Sequence, residues 1–427
     1  MKFLNFFVFL CIFGCYSQPV QQDDSSLILL SISGGGTRAG TMGWRTLEYL
    51  RTIPYVYSEK GVSITSNLAD QIDVISGISG GSFAAAGWCF YRDSMQIFRK
   101  KFIENNIQLK LVGKLFIPWV GLNVLLNPFY SRIDVAAEYY DQYIFEKRTF
   151  KNLPSFPTLW INSTSLSLGD RFVFTREQFE MIGSDVGNYP VGYACAASSA
   201  FPILLDPITI RNSGQSISDS TLSENLKYRM AKKNSIRDPE KWIYCKKIEF
   251  YNDKRNKWIH LADGGLVDNQ GLKAILDQFR TNGLINKRLN DSENPLKRLV
   301  IINVNAYTEK KDEGCQSRRP PNILSVMNYT MTLSMDILSF ERWVDIRAAC
   351  SELWKAKLNG AGNILEKPYC IEIAFRNVSD ESVRNSCNDL PTSFHLGKNE
   401  IALIDSVIPQ LIVEQEDFQK LKTSIVR

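Results

Sequence analysis

The stretch from Asp73 to Ser82, DVISGISGGS, narrows the possible folds of this chain more than any other. An apolar run ends in Gly77-Ile78-Ser79-Gly80-Gly81, and the small-residue segment Phe83-Ala84-Ala85-Ala86-Gly87 then starts a helix. Gly-x-Ser-x-Gly between a strand and a helix puts the serine on a sharp turn, with its hydroxyl standing clear of the backbone. Such a turn leaves almost no room for side chains two positions before and two after the serine. Gly77 and Gly81 meet that demand. The neighbours Ser76 and Ser82 lack glycine on both sides at this spacing, so Ser79 is the candidate nucleophile.

Upstream, Leu27 to Ile32 is a short continuous apolar run that suits a strand buried on both faces. Gly34-Gly35-Gly36-Thr37-Arg38-Ala39-Gly40 follows. Trp44, Leu47, Leu50 and Ile53 then recur at helical spacing, which predicts a helix from about Thr41. Strand, loop, helix and a second strand into Ser79 make a βαβ beginning, hence a mainly parallel sheet with helices packed on it. The glycine run has neither Gly-x-x-x-x-Gly-Lys-Ser/Thr nor Gly-x-Gly-x-x-Gly with a downstream acid, which argues against a nucleotide. It is either a plain tight turn or a row of N–H groups aimed at a developing oxyanion.

Further strands are predicted at Pro157–Asn162, Asp170–Thr175, Trp258–Ala262 and Leu299–Val304, with an edge strand at Tyr369–Phe375. The small-residue run Gly192 to Phe201 suits a helix packed closely on the serine turn. Helices are expected over 91–150, 322–357 and 398–426, and 211–240 reads as a polar surface excursion. Without an internal repeat or a break in composition, residues 27–427 read as one α/β domain with helical and loop insertions.

At the N-terminus, Lys2 and the apolar run Phe3 to Phe13 have the layout of a signal peptide over 1–14. Ile12-Phe13-Gly14-Cys15 resembles a lipobox, which makes Cys15 a candidate lipidation site and 15–26 a polar tether. The expected location is the cell envelope as a membrane-anchored lipoprotein, or outside the cell as a secreted protein. Leu109 to Tyr130 is strongly apolar and carries Lys110, Lys114 and Trp119. It reads either as a buried cap or helical hairpin, or as an interfacial segment touching lipid. Gly113, Pro118, Gly121 and Pro128 argue against one continuous span. A net charge of +5 without a basic run gives no nucleic-acid signature. Seven cysteines lie beyond Cys15, with Cys370 and Cys387 a local candidate pair, and no Cys-x-x-Cys suggests zinc.

A serine nucleophile needs a base. The chain has two histidines. His260 lies three residues before Asp263, and an odd separation on one strand sends the two side chains to opposite faces. His395 could complete a triad, but its surroundings are apolar. Asp263 is the better candidate: it follows an apolar strand, where it would reach the carboxyl edge of the sheet. Gly264 and Gly265 let the backbone approach, and burial would raise its pKa toward a useful range.

Taken in order, Gly34-Gly35-Gly36-Thr37-Arg38, Gly77-Ile78-Ser79-Gly80-Gly81 and Asp263-Gly264-Gly265, with the small-residue stretch Ala197 to Pro202, resemble the patatin-like phospholipases. The resemblance runs from about Leu27 to Asn269. It implies a three-layer α/β/α fold and lipid acyl hydrolysis by a Ser79–Asp263 dyad, with membrane phospholipids as substrate and no metal or cofactor. It also implies an oxyanion hole from Gly34, Gly35 and Gly36, with Gly35 and Gly36 as donors. Arg38 would hold that loop or add positive charge beside it. Ala39 departs from the family's usual glycine. Asp268 and Asn269 read as loop or capping residues rather than a calcium site. The competing readings are an esterase or acyltransferase with the same dyad, and a lipid-binding envelope protein without turnover.

Overall fold

The computed structural model describes residues 22–202, 204–213, 239–280, 283–291, 293–309, 318, 320–360 and 364–426. The signal segment, Cys15 and most of the 211–240 excursion lie outside the described residues. Residues 23–26, expected to be tether, belong to the folded domain. Asp23 accepts hydrogen bonds from Ser26 and from the Tyr55 hydroxyl (2.6 Å) and faces Arg298. The last residues of that stretch are thus fastened to the domain, and Ser26 already belongs to the first strand.

The first strand, β1 (Ser26–Ile32), is buried throughout. Its side chains alternate between two cores: Ile28, Leu30 and Ile32 enter one, Leu27 and Leu29 the other. This two-sided burial is why the segment reads as a continuous apolar run, each Leu or Ile contributing about 2 kcal/mol on leaving water. Helix α1 (Gly36–Leu50) follows and starts five residues before Thr41, directly inside the glycine loop. Apolar periodicity marks only the face on the core, and the first turn of α1 meets other backbone instead. A hairpin of β2 (Pro54–Glu59) and β3 (Val62–Asn67) intervenes before β4 (Val74–Ile78) and α2 (Gly80–Tyr91).

The main sheet has the order β10-β9-β1-β4-β5-β8-β7, with β6 also paired to β5. These strands are β5 (Thr158–Ser165), β6 (Asp170–Val173), β7 (Ile208–Arg211), β8 (Trp258–Asp263), β9 (Arg298–Asn305) and β10 (Tyr369–Ala374). Neighbours from β10 to β5 run parallel, while β6, β7 and β8 add antiparallel pairs. Helices cover both faces. On one side, with α1 and α2, lie α5 (Val191–Ser198), α8 (Lys398–Glu414) and α9 (Glu416–Ile425). On the other lie α6 (Leu272–Arg280) and the C-terminal half of α7 (Ile323–Leu358). The architecture is the three-layer α/β/α expected, with β10 at the sheet edge.

Two sequence expectations change. Leu109 to Tyr130 is not a buried cap: α3 (Ile107–Leu115) and α4 (Pro118–Leu126) form a pair bent by 77°, many of whose large apolar side chains face outward. Trp119 is 74% and Phe129 92% exposed. Among the described residues no single helix is long and apolar enough to cross a membrane. The pairing of Cys370 with Cys387 also fails. Cys387 packs in the core on the α1 side, whereas Cys370 packs in the core on the α6 side, where it meets Cys350. The sheet separates the two.

Candidate active site

Ser79 sits between the last residue of β4 and the first of α2, with φ 48° and ψ −123°. A non-glycine residue rarely adopts a left-handed φ, and it persists only where the surroundings hold it. Here the Ser79 N–H donates to Ser198 Oγ (2.8 Å), and Ser198 Oγ donates in turn to the Asn162 carbonyl (2.6 Å). The Ser79 carbonyl accepts from the Ser82 N–H (3.0 Å) and the Ser82 hydroxyl (2.6 Å). The small-residue helix α5 thus supplies one clamp and α2 the other. Glycines are enforced by close backbone. A Cβ on Gly77 would lie 2.7 Å from Ser82 Cα, and one on Gly81 would lie 2.5 Å from the Ile32 and Ser33 carbonyl oxygens. Gly80, which the Gly-x-Ser-x-Gly pattern leaves free, is the most confined of the three: its Cβ would overlap the Gly36 carbonyl.

Asp263 ends β8 and reaches Ser79 from an unforeseen direction. β8 is antiparallel to β5, with Ser163 opposite Asp263, while Asn162 is opposite Ile78 of β4. β5 runs past the end of β4, and β8 descends along that overhang until Asp263 meets the serine turn. The carboxyl edge of the parallel strands is therefore reached from beyond. The Asp263 N–H donates to the Ala200 carbonyl (2.9 Å), and its own carbonyl accepts from the Thr164 hydroxyl (2.8 Å). Its side chain is 2% exposed. Burial raises the carboxyl to about 6, while hydrogen bonds from the Gly265 N–H (2.8 Å) and the Ser79 hydroxyl pull it back in part. His260 points away, exposed, with Nδ1 2.9 Å from the Thr209 hydroxyl.

The glycine loop lies across the serine turn. Gly35 precedes the first residue of α1, with φ 137°, and Gly36 has φ 62°. The Gly34 N–H is committed to the Asn269 carbonyl (2.8 Å) and the Thr37 N–H to the Ser393 carbonyl (2.8 Å). Among the described residues no acceptor takes the Gly35 or Gly36 N–H, so these two amides are the loop's open donors at a helix N-terminus. Arg38 is buried and donates to the Leu390 carbonyl, which ties the loop to the C-terminal segment. Burial lowers its guanidinium to about 10, so it stays cationic near neutrality.

A cavity of about 560 Å³ joins Gly34 to Gly36, Arg38, Ser79 and Asp263 at one end. Its walls include Leu111, Val112 and Leu115 of α3, Phe201 and Leu205, and Thr332 and Met335 of α7. The lining is predominantly apolar around a few convergent polar groups, as suits an extended apolar ligand. Asp268 is buried and accepts from the N–H groups of Gln270 (3.2 Å) and Lys273 (2.6 Å), so it caps the start of α6. Among the described residues no cluster of three or more His, Cys, Asp or Glu side chains is arranged to hold a metal.

This arrangement agrees with a comparison of sequences: residues 30–276, more than half of the chain, match the family of patatin-like phospholipases. The chain belongs to that family. A search of curated proteins returned no match. Solved structures with some likeness include human GIVD cytosolic phospholipase A2, at 13% identity and TM-score 0.34, covering 66% of this chain and 46% of that one. VipD from Legionella pneumophila is another, at 11% identity and TM-score 0.33, covering 94% of this chain and 67% of that one. The chain spans about half the length of the human protein. At these scores neither likeness adds to the argument.

Sequence reasoning missed Gly80, Ser198, Asn269 and Ser393. Ser198 lies within a stretch that pattern does single out, but only the packing shows which of its serines clamps Ser79. Asn269 and Ser393 act through backbone carbonyls, which any residue type could provide, so no sequence signal marks them.

Proposed function

We propose that this chain hydrolyses fatty acyl esters of phospholipids, with Ser79 as nucleophile and Asp263 as general base. The observation that carries this reading is the Ser79 side chain beside the buried Asp263 carboxyl, next to two open N–H donors, on the wall of a largely apolar cavity. Ser79 Oγ attacks the acyl carbonyl carbon as its proton passes to Asp263. The oxyanion of the tetrahedral intermediate is received by the Gly35 and Gly36 N–H groups, whose positions are fixed before the reaction begins. Collapse breaks the ester bond. The lysolipid alkoxide takes the proton from Asp263, and the acyl group remains on Ser79. Water then gives a proton to Asp263 and attacks the acyl-enzyme. The fatty acid leaves and the proton returns to Ser79. Arg38 adds a fixed positive charge next to the loop and holds it through Leu390.

A carboxyl titrating near 6 suits a general base, because it is ionised at neutral pH yet more basic than an exposed aspartate. The test is fatty-acid release from mixed phospholipid vesicles by wild type, Ser79→Ala and Asp263→Asn, each confirmed folded. Either substitution is expected to lower release by about 1000-fold or more. Release within tenfold of wild type from folded Asp263→Asn would remove Asp263 from the role of base.

A further inference from the structure

We infer that the bent pair α3–α4 and the N-terminal half of α7 form one docking face for a lipid bilayer, with preference for an anionic surface. The inference rests on the proposed lipid hydrolase reading for what enters the cavity, but its own observations are separate. In α3–α4 the side chains of Phe116, Trp119, Leu122, Leu125 and Phe129 are exposed. In α7 the two halves behave differently. Trp343, Ile346 and Cys350 are buried in the core, whereas Ile323, Val326, Leu333, Ile337 and Phe340 are exposed. Exposed apolar side chains in these numbers, on two elements that wall one cavity, mark an interaction site rather than ordinary scatter.

Position and charge identify the occupant. Both elements wall the cavity that holds Ser79: Leu111, Val112 and Leu115 come from α3, Thr332 and Met335 from α7. An acyl chain leaving a bilayer seated on them enters that cavity without crossing water. From Asn105 to Ser131 the only charges are Lys110 and Lys114, and from Asn322 to Phe340 the only one is Asp336, which lines the cavity. Lys114 lies over the rings of Tyr139 (5.8 Å) and Tyr143 (5.1 Å), so an ammonium and aromatic rings gather beside the apolar surface. Apolar side chains with tryptophan and lysine at their margin are the composition of an interfacial helix, and each lysine near an anionic surface adds about 1 kcal/mol of attraction. The same charges disfavour a second copy of the chain. A two-fold pairing through α3–α4 would set these lysines near their own counterparts, with no acidic residue in the segment to offset them.

The test measures vesicle binding in the full-length Ser79→Ala protein, so that it does not depend on turnover. Cosedimentation is compared for phosphatidylcholine vesicles and for vesicles containing phosphatidylglycerol. A second background carries Phe116→Ser, Trp119→Ser and Leu125→Ser, and a third carries Ile323→Ser and Leu333→Ser. All five side chains are exposed, and an unchanged melting temperature checks folding. We expect tighter binding to the phosphatidylglycerol vesicles and a loss of at least tenfold in the first set and threefold in the second. Unchanged binding in either set, or no binding by the folded parent, overturns the proposal. So does a dimer that the same substitutions convert to monomer without any vesicle binding. Wild-type hydrolysis of a monomeric short-chain ester is run alongside: its failure counts against the hydrolase reading alone, and failure of vesicle binding against the docking face alone.

Discussion

Around Ser79 the backbone is clamped on every side, whereas α3–α4 and the first half of α7 turn large apolar side chains to the outside with few partners. Both regions wall one cavity, and both are poor in charge. At the floor, hydrogen bonds donated to Ser198, Asn269 and Ser393 and accepted from Ser82 fix the serine turn and the glycine loop, and glycines stand where a Cβ would meet backbone. At the rim, among the described residues, α3 and α7 start on the side-chain caps of Asn106 and Asn322 and leave much of their apolar faces uncovered. The difference separates two roles. Holding a serine with left-handed φ beside a buried carboxyl requires structure that over-determines the geometry. Presenting an apolar surface to a partner requires area left uncovered.

Glycine substitution breaks or sharpens this contrast most forcefully. Gly80→Ala sets a Cβ on the Gly36 carbonyl, and neither backbone segment can yield without moving the serine turn or the start of α1. We expect a loss of about 3 kcal/mol or more in chemical unfolding, or failure to fold. Gly113→Ala, in the middle of α3, meets nothing within 4 Å. There the helix gains propensity, and stability is expected to rise by about 0.5–1 kcal/mol or, if α3 unfolds separately, to stay level globally. Equal losses at the two sites would show that the rim is packed as tightly as the floor.

The buried carboxylate gives the next effect. Asp263 titrates near 6 in the folded protein, above its ordinary value of 3.8, because burial disfavours its charge. The folded state therefore holds this proton more tightly than the unfolded state between about 4 and 6. The contribution is favourable at low pH and is lost as pH rises through that window, the reverse of a salt-bridged aspartate. Asp263→Asn is expected to abolish ester hydrolysis and yet raise the melting temperature at pH 7, by about 2–3 kcal/mol in stability if the amide keeps its contacts. Wild-type activity should rise along an acid limb centred near 6. A limb near 4, or a destabilised Asp263→Asn, would mean that the carboxylate is better solvated or better paired than its surroundings indicate.

The local geometry around Ser79 was legible because it demands residue types. A serine turn needs Gly77 and Gly81, the loop before α1 needs backbone with positive φ at Gly35 and Gly36, and a close approach needs Gly264 beside the Asn162 carbonyl. The parallel strands were legible because burial on both faces leaves continuous apolar runs. Strand direction was not, since β8 has the same apolar content whether it runs with β5 or against it. The β2–β3 hairpin escaped because its second strand lies largely at the surface and carries little apolar pattern. The rim escaped for a deeper reason. Periodicity and hydrophobicity report that a helix has an apolar face, and only packing shows whether the rest of the chain covers it.

The smallest expected effect concerns His395, the remaining candidate for a triad. Its segment matters: the Ser393 carbonyl holds the Thr37 N–H and limits Gly36 to glycine. Those contacts are made by backbone. The His395 ring is absent from the cavity wall, and its buried Nδ1 has no hydrogen-bond partner. Ser393 Oγ meets His395 through its backbone, not its ring. His395→Ala is therefore expected to leave kcat/KM for a soluble ester within about twofold, with the acid limb still set by Asp263. Loss of 100-fold or more in a folded variant, with the limb moved, would instead make the imidazole the base. The clamp at Ser393 would then be there to bring that ring to Ser79, and the floor would be built around a triad rather than a pair.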